Sequence, residues 1–218
     1  HPEVLGPRQG IVSPDLVGPL YDRIAAKGGG TAIFMNGAQG GMVTADVRGA
    51  DGKDVQTWEE CVRLGELLAD EALRIVSSAT EIREPVVFCT NKTVRFRVDS
   101  EGFRQVMKMS PLGYKSDVEG TVTTTVNLVH LADAQILTIP GEALPNIGYY
   151  LKRKMKGAHN LLFGLTNDAF GYILTPEDFG SFKRYEYVTR TSLGEMTWPT
   201  YAEAALQLVN SAPVPKTN

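Results

Sequence analysis

The feature that most constrains the fold is a pair of strand-like segments separated by a very short connection. Residues 121–131 and 135–139 are rich in Thr, Val, Ile and Leu with alternating character, and only Ala132-Asp133-Ala134 lies between them. Two such segments joined by three residues are typical of an antiparallel hairpin. Further strand-like segments of the same kind lie at 86–88, 93–98 and 160–165. The sequence therefore predicts a β-sheet built around this hairpin.

Four segments with helical spacing of apolar residues surround these strands. The first segment follows Ser13-Pro14-Asp15 and ends at the Gly28-Gly29-Gly30 stop. The second starts at a Thr57/Glu60 capping box and runs to about Ser78. The third and fourth cover 146–155 and 201–209. A short buried strand is also predicted at 31–35. Because strands and helices interleave without strict alternation, we expect an α/β fold of the α+β type, a mixed sheet flanked by helices.

Composition limits the domain count and the classes of partner. A chain of 218 residues with 43% hydrophobic content can form one sizeable core, so we expect a single domain over 1–211 and a disordered tail at 212–218. The net charge of −3 and the scattered Lys and Arg residues argue against nucleic acid as a partner. The apolar runs are too short to cross a bilayer. The two cysteines, Cys61 and Cys89, are expected to be buried structural thiols.

Two predicted strand ends carry groups suited to chemistry. The strand at 135–139 leads through Pro140-Gly141 to Glu142, and the strand at 160–165 leads towards Tyr172, with Tyr185 shortly after. A sheet fixes the position of a side chain at its edge, which suits a ligand or catalytic group. The alternative is that Glu142 favours the dipole of the following helix and that the tyrosines are packed aromatics.

In their order along the chain, these motifs resemble those of the neutral (alkaline, non-lysosomal) ceramidase family. The resemblance covers most of the chain except about 50–120. The matching segments are His1-Pro2, Ser13-Pro14-Asp15, a loop at 34–46, Pro-Gly-Glu at 140–142, Gly-Leu-x-Asn at 164–167, Gly-Tyr-Ile-x-Thr-x-Glu at 171–177 and Tyr-Glu at 185–186.

The resemblance implies a single zinc ion and a hydrolase that cleaves an N-acyl amide bond. By position, His1 would be the second His ligand, Glu142 the carboxylate ligand and Tyr172 the tyrosine ligand, while Tyr185 would donate a hydrogen bond to the oxyanion. The family's first His ligand has no counterpart here. We therefore expect this chain to be the C-terminal portion of a larger catalytic domain, with a missing N-terminal part that completes the site. His130 and His159 are the alternative nitrogen ligands.

The loop at 39–46 departs from the family pattern. The family has Asn, then Gly-Asp-x-Ser-Pro, whereas this chain places Gln39 at the asparagine, Met42 at the aspartate and Thr44 at the serine nucleophile. Thr44 is therefore the candidate nucleophile. Alternatively, zinc activates water directly and Thr44 and Gln39 position it. The loop lacks the Gly-Lys-Ser/Thr ending of a phosphate-binding loop, and the chain has no G-x-S-x-G motif of a serine hydrolase.

Three functional hypotheses follow. The first is a zinc-dependent amidohydrolase acting on a ceramide-like lipid or small-molecule amide, which would belong to sphingolipid metabolism. The second is a hydrolase for a different amide or an ester. The third is a non-catalytic binding domain on the same fold, because Met42 and Thr44 replace the two reactive side chains. The resemblance allows a secreted or periplasmic location, and no targeting signal is visible in this chain.

Overall fold

The contacts of the chain divide it into two compact units. The structure, a computed structural model, describes residues 1–42, 44–111, 118–181 and 183–216. Unit 1 comprises His1–Met35 and Met42–Glu81, and unit 2 comprises Asn36–Gly41 and Ile82–Asn218. The single domain over 1–211 and the disordered tail at 212–218 stay predictions.

In the described part of unit 2, six strands form two sheets. The strands are β1 (Val87–Arg97), β2 (Thr121–Leu131), β3 (Ala134–Thr138), β4 (Glu142–Ala143), β5 (His159–Phe163) and β6 (Tyr172–Ile173). Four of them form a sheet in the order β1-β2-β3-β5, and β4 pairs with β6 in a separate two-stranded sheet. In the larger sheet β1, β2 and β3 are antiparallel neighbours, whereas β3 and β5 run parallel. The predicted mixed sheet is confirmed.

The predicted hairpin is present and has a tighter connection than expected. Leu131 pairs with Ala134, so two residues remain between β2 and β3. Ala132 adopts a left-handed conformation with φ 53° and donates its N–H to the carbonyl of Val86 at 2.9 Å. The two predicted strands at 86–88 and 93–98 form the single strand β1, which pairs with β2 along its whole length.

The described residues also form six α-helices. They are α1 (Val17–Ala26), α2 (Trp58–Ser77), α3 (Glu101–Met109), α4 (Pro145–Lys154), α5 (Glu186–Arg190) and α6 (Thr197–Ser211), and a 3₁₀ helix covers Lys183–Tyr185. In unit 2, α6 packs on β1 and β2, and α4 packs on β5. The sequence did not predict α3. Its one clear signal is Ser100, whose hydroxyl caps the helix by accepting from the Phe103 N–H at 3.3 Å.

The core of unit 2 lies between the larger sheet and its helices and fixes the strand end that precedes Glu142. Phe96, Leu128 and Leu137 are fully buried there with Tyr201 of α6. The Tyr201 hydroxyl donates a hydrogen bond to the carbonyl of Thr138 at 2.8 Å. Thr138 is the last residue of β3, so α6 anchors the chain four residues before Glu142.

Unit 1 is organised by α1 and α2, which pack on each other. Asp15 lies before α1 in a left-handed conformation, φ 54°, and its carboxylate accepts the backbone N–H groups of Val4, Leu5 and Leu16 at 2.7–2.9 Å. The N-cap of α1 is Leu16, which makes no side-chain cap bond. Asp15 thus organises the preceding segment as well as the start of the helix.

The predicted strand at 31–35 is absent, which corrects the sequence interpretation. Ile33 is 82% exposed, so the apolar run is not a buried strand. The Phe34 N–H donates to the Tyr21 hydroxyl at 2.8 Å, and a side chain therefore takes the donor that a strand would have used. Among the described helices, none combines the length and the apolar character needed to span a bilayer.

Candidate functional site

Glu142 and Tyr172 are direct neighbours on the two-stranded parallel sheet of unit 2. They are Cα partners in the register of β4 and β6, and the Glu142 N–H donates to the Gly171 carbonyl at 2.8 Å. Glycines allow this close pairing. A Cβ atom on Gly141 would lie 2.6 Å from the Gly171 carbonyl oxygen, and Gly171 itself has φ 73°. The Pro-Gly and Gly-Tyr motifs of the sequence therefore bring the two side chains together.

The side chains of this pair interact in a half-buried environment. The Tyr172 hydroxyl favours the charged form of the Glu142 carboxylate, although less strongly than burial disfavours it. Burial raises the pKa of the Glu142 carboxyl above its ordinary value. Burial, followed by the negative charge of Glu142, raises the pKa of Tyr172 strongly. Both shifts disfavour negative charge, and a bound cation would oppose them.

A tyrosine that the sequence interpretation missed extends this pair. The Tyr187 ring packs against the Tyr172 ring in an edge arrangement, with the ring centroids 5.8 Å apart. Tyr185, the predicted oxyanion donor, is 48% exposed and packs edge-on against Tyr187 at 6.5 Å. The Arg184 guanidinium lies 5.4 Å from the Tyr185 ring centroid. Tyr187 therefore packs against both Tyr185, the predicted oxyanion donor, and Tyr172, the neighbour of Glu142.

The sequence contained only a weak signal for Tyr187. Tyr185 and Tyr187 are two positions apart, and the local sequence does not show which of them contacts Tyr172. The structure separates them because the 3₁₀ helix ends at Tyr185 and α5 begins at Glu186. The functional role of Tyr185 stays a prediction.

The glycine-rich loop at 36–41 belongs to unit 2 and lies against the backbone of Glu142. The Gly40 N–H donates to the Ala143 carbonyl at 2.8 Å, and the Gly164 N–H donates to the Asn36 carbonyl at 2.9 Å. A Cβ atom on Gly40 would overlap the Glu142 carbonyl oxygen. Only glycine fits here, so the loop is held at the strand that carries Glu142.

His1 and Thr44 belong to unit 1. The His1 backbone nitrogen donates to the Met42 carbonyl at 2.8 Å. The Thr44 hydroxyl oxygen is buried and has no hydrogen-bond partner among the described residues. The roles of His1 as a zinc ligand and Thr44 as a nucleophile stay predictions.

The two alternative histidines occupy different environments in unit 2. His130 is 2% exposed, and one ring nitrogen lies 2.7 Å from the Gln135 amide nitrogen. His159 is exposed on β5. Within the described part of the chain, no group of three or more His, Cys, Asp or Glu side chains is arranged to hold a metal ion. The two neighbouring oxygen donors are one carboxylate, Glu142, and one tyrosine, Tyr172.

Two solved ceramidase structures share the fold of this chain. One is the neutral ceramidase from Pseudomonas aeruginosa, with a TM-score of 0.66 and 15% identity over 95% of this chain and 42% of that one. The other is a ceramidase complexed with C2, with a TM-score of 0.61 and 13% identity over 95% of this chain and 44% of that one.

The chain therefore spans less than half the length of these two structures. No protein-family profile and no curated protein sequence matches it. At such identities the likeness concerns the fold, which agrees with the resemblance found in the sequence motifs. Over nearly its whole length, the chain has the fold of a part of neutral ceramidase.

Proposed function

We propose that this chain is part of a zinc-dependent amidohydrolase that cleaves an N-acyl bond in a ceramide-like substrate. The observation that carries the proposal is the pairing of Glu142 with Tyr172 on the neighbouring strands β4 and β6. These are the two positions that the sequence resemblance assigns to oxygen ligands of the zinc ion. The fold shared with two ceramidases supports the proposal at the level of the fold.

The chemistry of this pair fits part of a zinc site. A carboxylate and a tyrosine oxygen are both metal donors, and burial leaves each with a raised pKa that a cation would lower. Zinc usually takes three protein ligands in a catalytic site. Glu142 and Tyr172 would hold the ion, and His1 is the nitrogen ligand that the resemblance supplies. When bound, zinc would polarise the amide carbonyl of the substrate as a Lewis acid.

The chain's own residues position the groups around the carbonyl. The pairing of β4 with β6 places Tyr172 beside Glu142, and edge-on packing against Tyr187 restrains the Tyr172 ring. Tyr185 offers an exposed phenol group beside this pair of rings, suited to donate to the developing oxyanion. Thr44 would supply its hydroxyl to attack the carbonyl or to orient the attacking water.

The test compares Glu142→Ala and Tyr172→Phe with the unchanged protein. We expect both variants to lose bound zinc and to lose hydrolysis of a short-chain N-acyl sphingosine by more than about tenfold, since ligand removal opens the metal site. Zinc is measured by elemental analysis and hydrolysis by release of the fatty acid. Glu195→Ala and Tyr149→Phe change the same residue types at exposed positions and should alter neither quantity. Unchanged zinc content and hydrolysis in both site variants would contradict the proposal.

A non-catalytic binding domain is the second candidate, favoured by the loop at 39–46. Met42 is 54% exposed at the position where the family has an aspartate. Thr44 lacks any described hydrogen-bond acceptor that could activate its hydroxyl. A domain of this kind would retain the proposed metal pair, Glu142 and Tyr172, and bind an amide without cleaving it.

A further inference from the structure

Gln39 has an unusual environment for a buried side chain. Its exposed fraction is 5%, and neither its amide nitrogen nor its amide oxygen has a hydrogen-bond partner among the described residues. Burying such a group without a hydrogen-bond partner is unfavourable, because it loses its bonds to water and gains none in the protein. Native proteins rarely keep both groups of one amide in this state unless a ligand or a water molecule completes them.

Gln39 carries two of the unpaired buried groups in the described part of the chain. The buried side-chain atoms that lack partners in the described residues are Nε2 and Oε1 of Gln39, Oγ1 of Thr44 and Oγ1 of Thr124. Gln39 belongs to unit 2. An amide with both of its polar groups unpaired indicates a polar ligand more strongly than a single unpaired atom does.

The backbone holds Gln39 close to the proposed metal pair. The next residue, Gly40, donates its N–H to Ala143 and leaves no space for a Cβ atom beside the Glu142 carbonyl. On the other side, Ala38 packs against Gly148 of α4, where an added Cβ would lie 2.5 Å from the Ala38 Cβ. Gln39 is therefore fixed between two tight backbone contacts within unit 2.

The chemistry of the unpaired groups selects a class of ligand. A glutamine amide presents an N–H donor and a carbonyl acceptor side by side. A secondary amide is trans, so its N–H and its carbonyl oxygen point in opposite directions, and one glutamine can engage only one of them. An amide N–H with a hydroxyl group on the amine side presents a donor and an acceptor that match Oε1 and Nε2–H. An ester has the same carbonyl but no N–H, so it would leave Oε1 of Gln39 unpaired. A buried site with an unpaired group discriminates strongly against such an analogue.

We propose that Gln39 is a specificity-determining residue that recognises the N–H of the secondary amide of the substrate. Oε1 accepts from the substrate N–H, and Nε2–H donates to a hydroxyl oxygen on the amine side of that bond. This inference rests on the proposed function, because the ligand is the amide that would be cleaved there. It accounts for selection of amides over esters, which the metal pair alone does not provide.

The test uses two matched probes that differ only in the group at issue, N-(2-hydroxyethyl)hexanamide and 2-hydroxyethyl hexanoate. Dissociation constants come from the increase in Tm with probe concentration, which requires no turnover. We expect the unchanged protein to bind the amide more tightly than the ester. Gln39→Met should weaken amide binding on the order of tenfold and remove the preference, since two hydrogen bonds disappear.

Gln135→Met provides a matched control, because Gln135 is a second buried glutamine whose amide is fully engaged. Its Nε2 lies 2.7 Å from a His130 ring nitrogen, and its Oε1 accepts the Lys156 N–H at 2.9 Å. We expect Gln135→Met to lower the Tm without probe and to keep the amide preference. Gln39→Met should leave the Tm without probe unchanged or raise it, because it removes groups that have no partner.

The outcomes separate this inference from the proposed function. Unchanged amide binding in Gln39→Met, or no amide preference in the unchanged protein, overturns the inference even if hydrolysis is observed. Gln39-dependent amide binding without hydrolysis supports the inference and contradicts the hydrolase. If Gln39→Met does not fold, Gln39→Asn withdraws both groups by one methylene and should show the same loss of preference.

Discussion

At the scale of single residues, His130 is a histidine held in its neutral form. Because the Gln135 oxygen accepts the Lys156 N–H, the Gln135 nitrogen faces the ring and must donate to it. The His130 Nε2 atom is therefore an acceptor and carries no proton. Burial, followed by the charge of Lys156, lowers the pKa of His130 from 6.5. Protonation of His130 would place its Nε2–H opposite the N–H of the Gln135 amide, so neither donor would have an acceptor there.

This arrangement makes stability depend on pH. The folded-state pKa of His130 lies below its unfolded value, so its contribution is fully present above about pH 6.5 and is lost as the pH falls below it. We expect the free energy of unfolding, measured by urea titration, to decrease between pH 7 and pH 5. In His130→Gln, which keeps an acceptor but cannot titrate, this decrease should be smaller. His159→Gln, at an exposed position, should match the unchanged protein. Equal pH dependence in all three would disprove the prediction.

The two cysteines differ, which corrects the expectation that both are buried. Cys61 is fully buried, with Sγ 3.8 Å from an Asp15 carboxylate oxygen, whereas Cys89 is exposed on β1. Burial, followed by the Asp15 charge, raises the pKa of the Cys61 thiol to about 11. At pH 8 we expect a thiol reagent to modify one cysteine in the native protein and both after denaturation. Native Cys89→Ser should show no rapid reaction, and a reactive thiol in that variant would contradict the assignment.

At the scale of elements, the ends of short strands organise the site more than any single helix does. The pairing of β4 with β6 joins Glu142 to Tyr172, and the loop at 36–41 lies against β4. Two glycines of this loop allow a controlled comparison. An added Cβ on Gly40 meets the backbone of Glu142 and Ala143, whereas one on Gly37 meets only the Leu162 carbonyl at an ordinary 3.6 Å.

Gly40→Ala should therefore disturb the site, and Gly37→Ala should not. Overpacking against backbone is unfavourable by about 1–3 kcal/mol, and we expect Gly40→Ala to lower the free energy of unfolding by that amount and to reduce hydrolysis strongly. Gly37→Ala should stay within about 1 kcal/mol of the unchanged protein. Urea unfolding and an N-acyl hydrolysis assay measure both effects. Equal behaviour of the two variants would show that the close approach at Gly40 is not needed.

The sequence predicted elements where one local pattern controls the outcome. Alternation over 121–139 predicted the hairpin, and the Thr57 cap predicted the start of α2, since the Thr57 hydroxyl accepts the Glu60 N–H at 3.3 Å. The segment at 31–35 has an equally apolar pattern but forms no strand. There the Tyr21 hydroxyl accepts the Phe34 N–H, which a neighbouring strand would otherwise accept. Such competition depends on tertiary contacts, which periodicity does not contain.

For the whole molecule, the resemblance predicted the fold, and two residues of the candidate site proved to be neighbours. Glu142 and Tyr172 could be proposed because each lies in a short motif with glycine. Tyr187 could not, since its role arises from packing against Tyr172. The unpaired amide of Gln39 was equally invisible, because burial without a partner is a property of the folded chain.

The choice between a catalyst and a binding domain concerns the whole protein and can be tested at Met42 and Thr44. Met42→Asp with Thr44→Ser restores the residue types that the ceramidase family has at these positions. If the chain derives from a catalyst that retains its metal pair, the double variant should hydrolyse a short-chain N-acyl sphingosine at least tenfold faster, because serine removes a crowding methyl group and aspartate returns the acidic neighbour. The same double variant carrying Glu142→Ala is the control and should remain inactive. Activity that is absent with and without the two changes, together with Gln39-dependent amide binding, would assign the chain to the binding class.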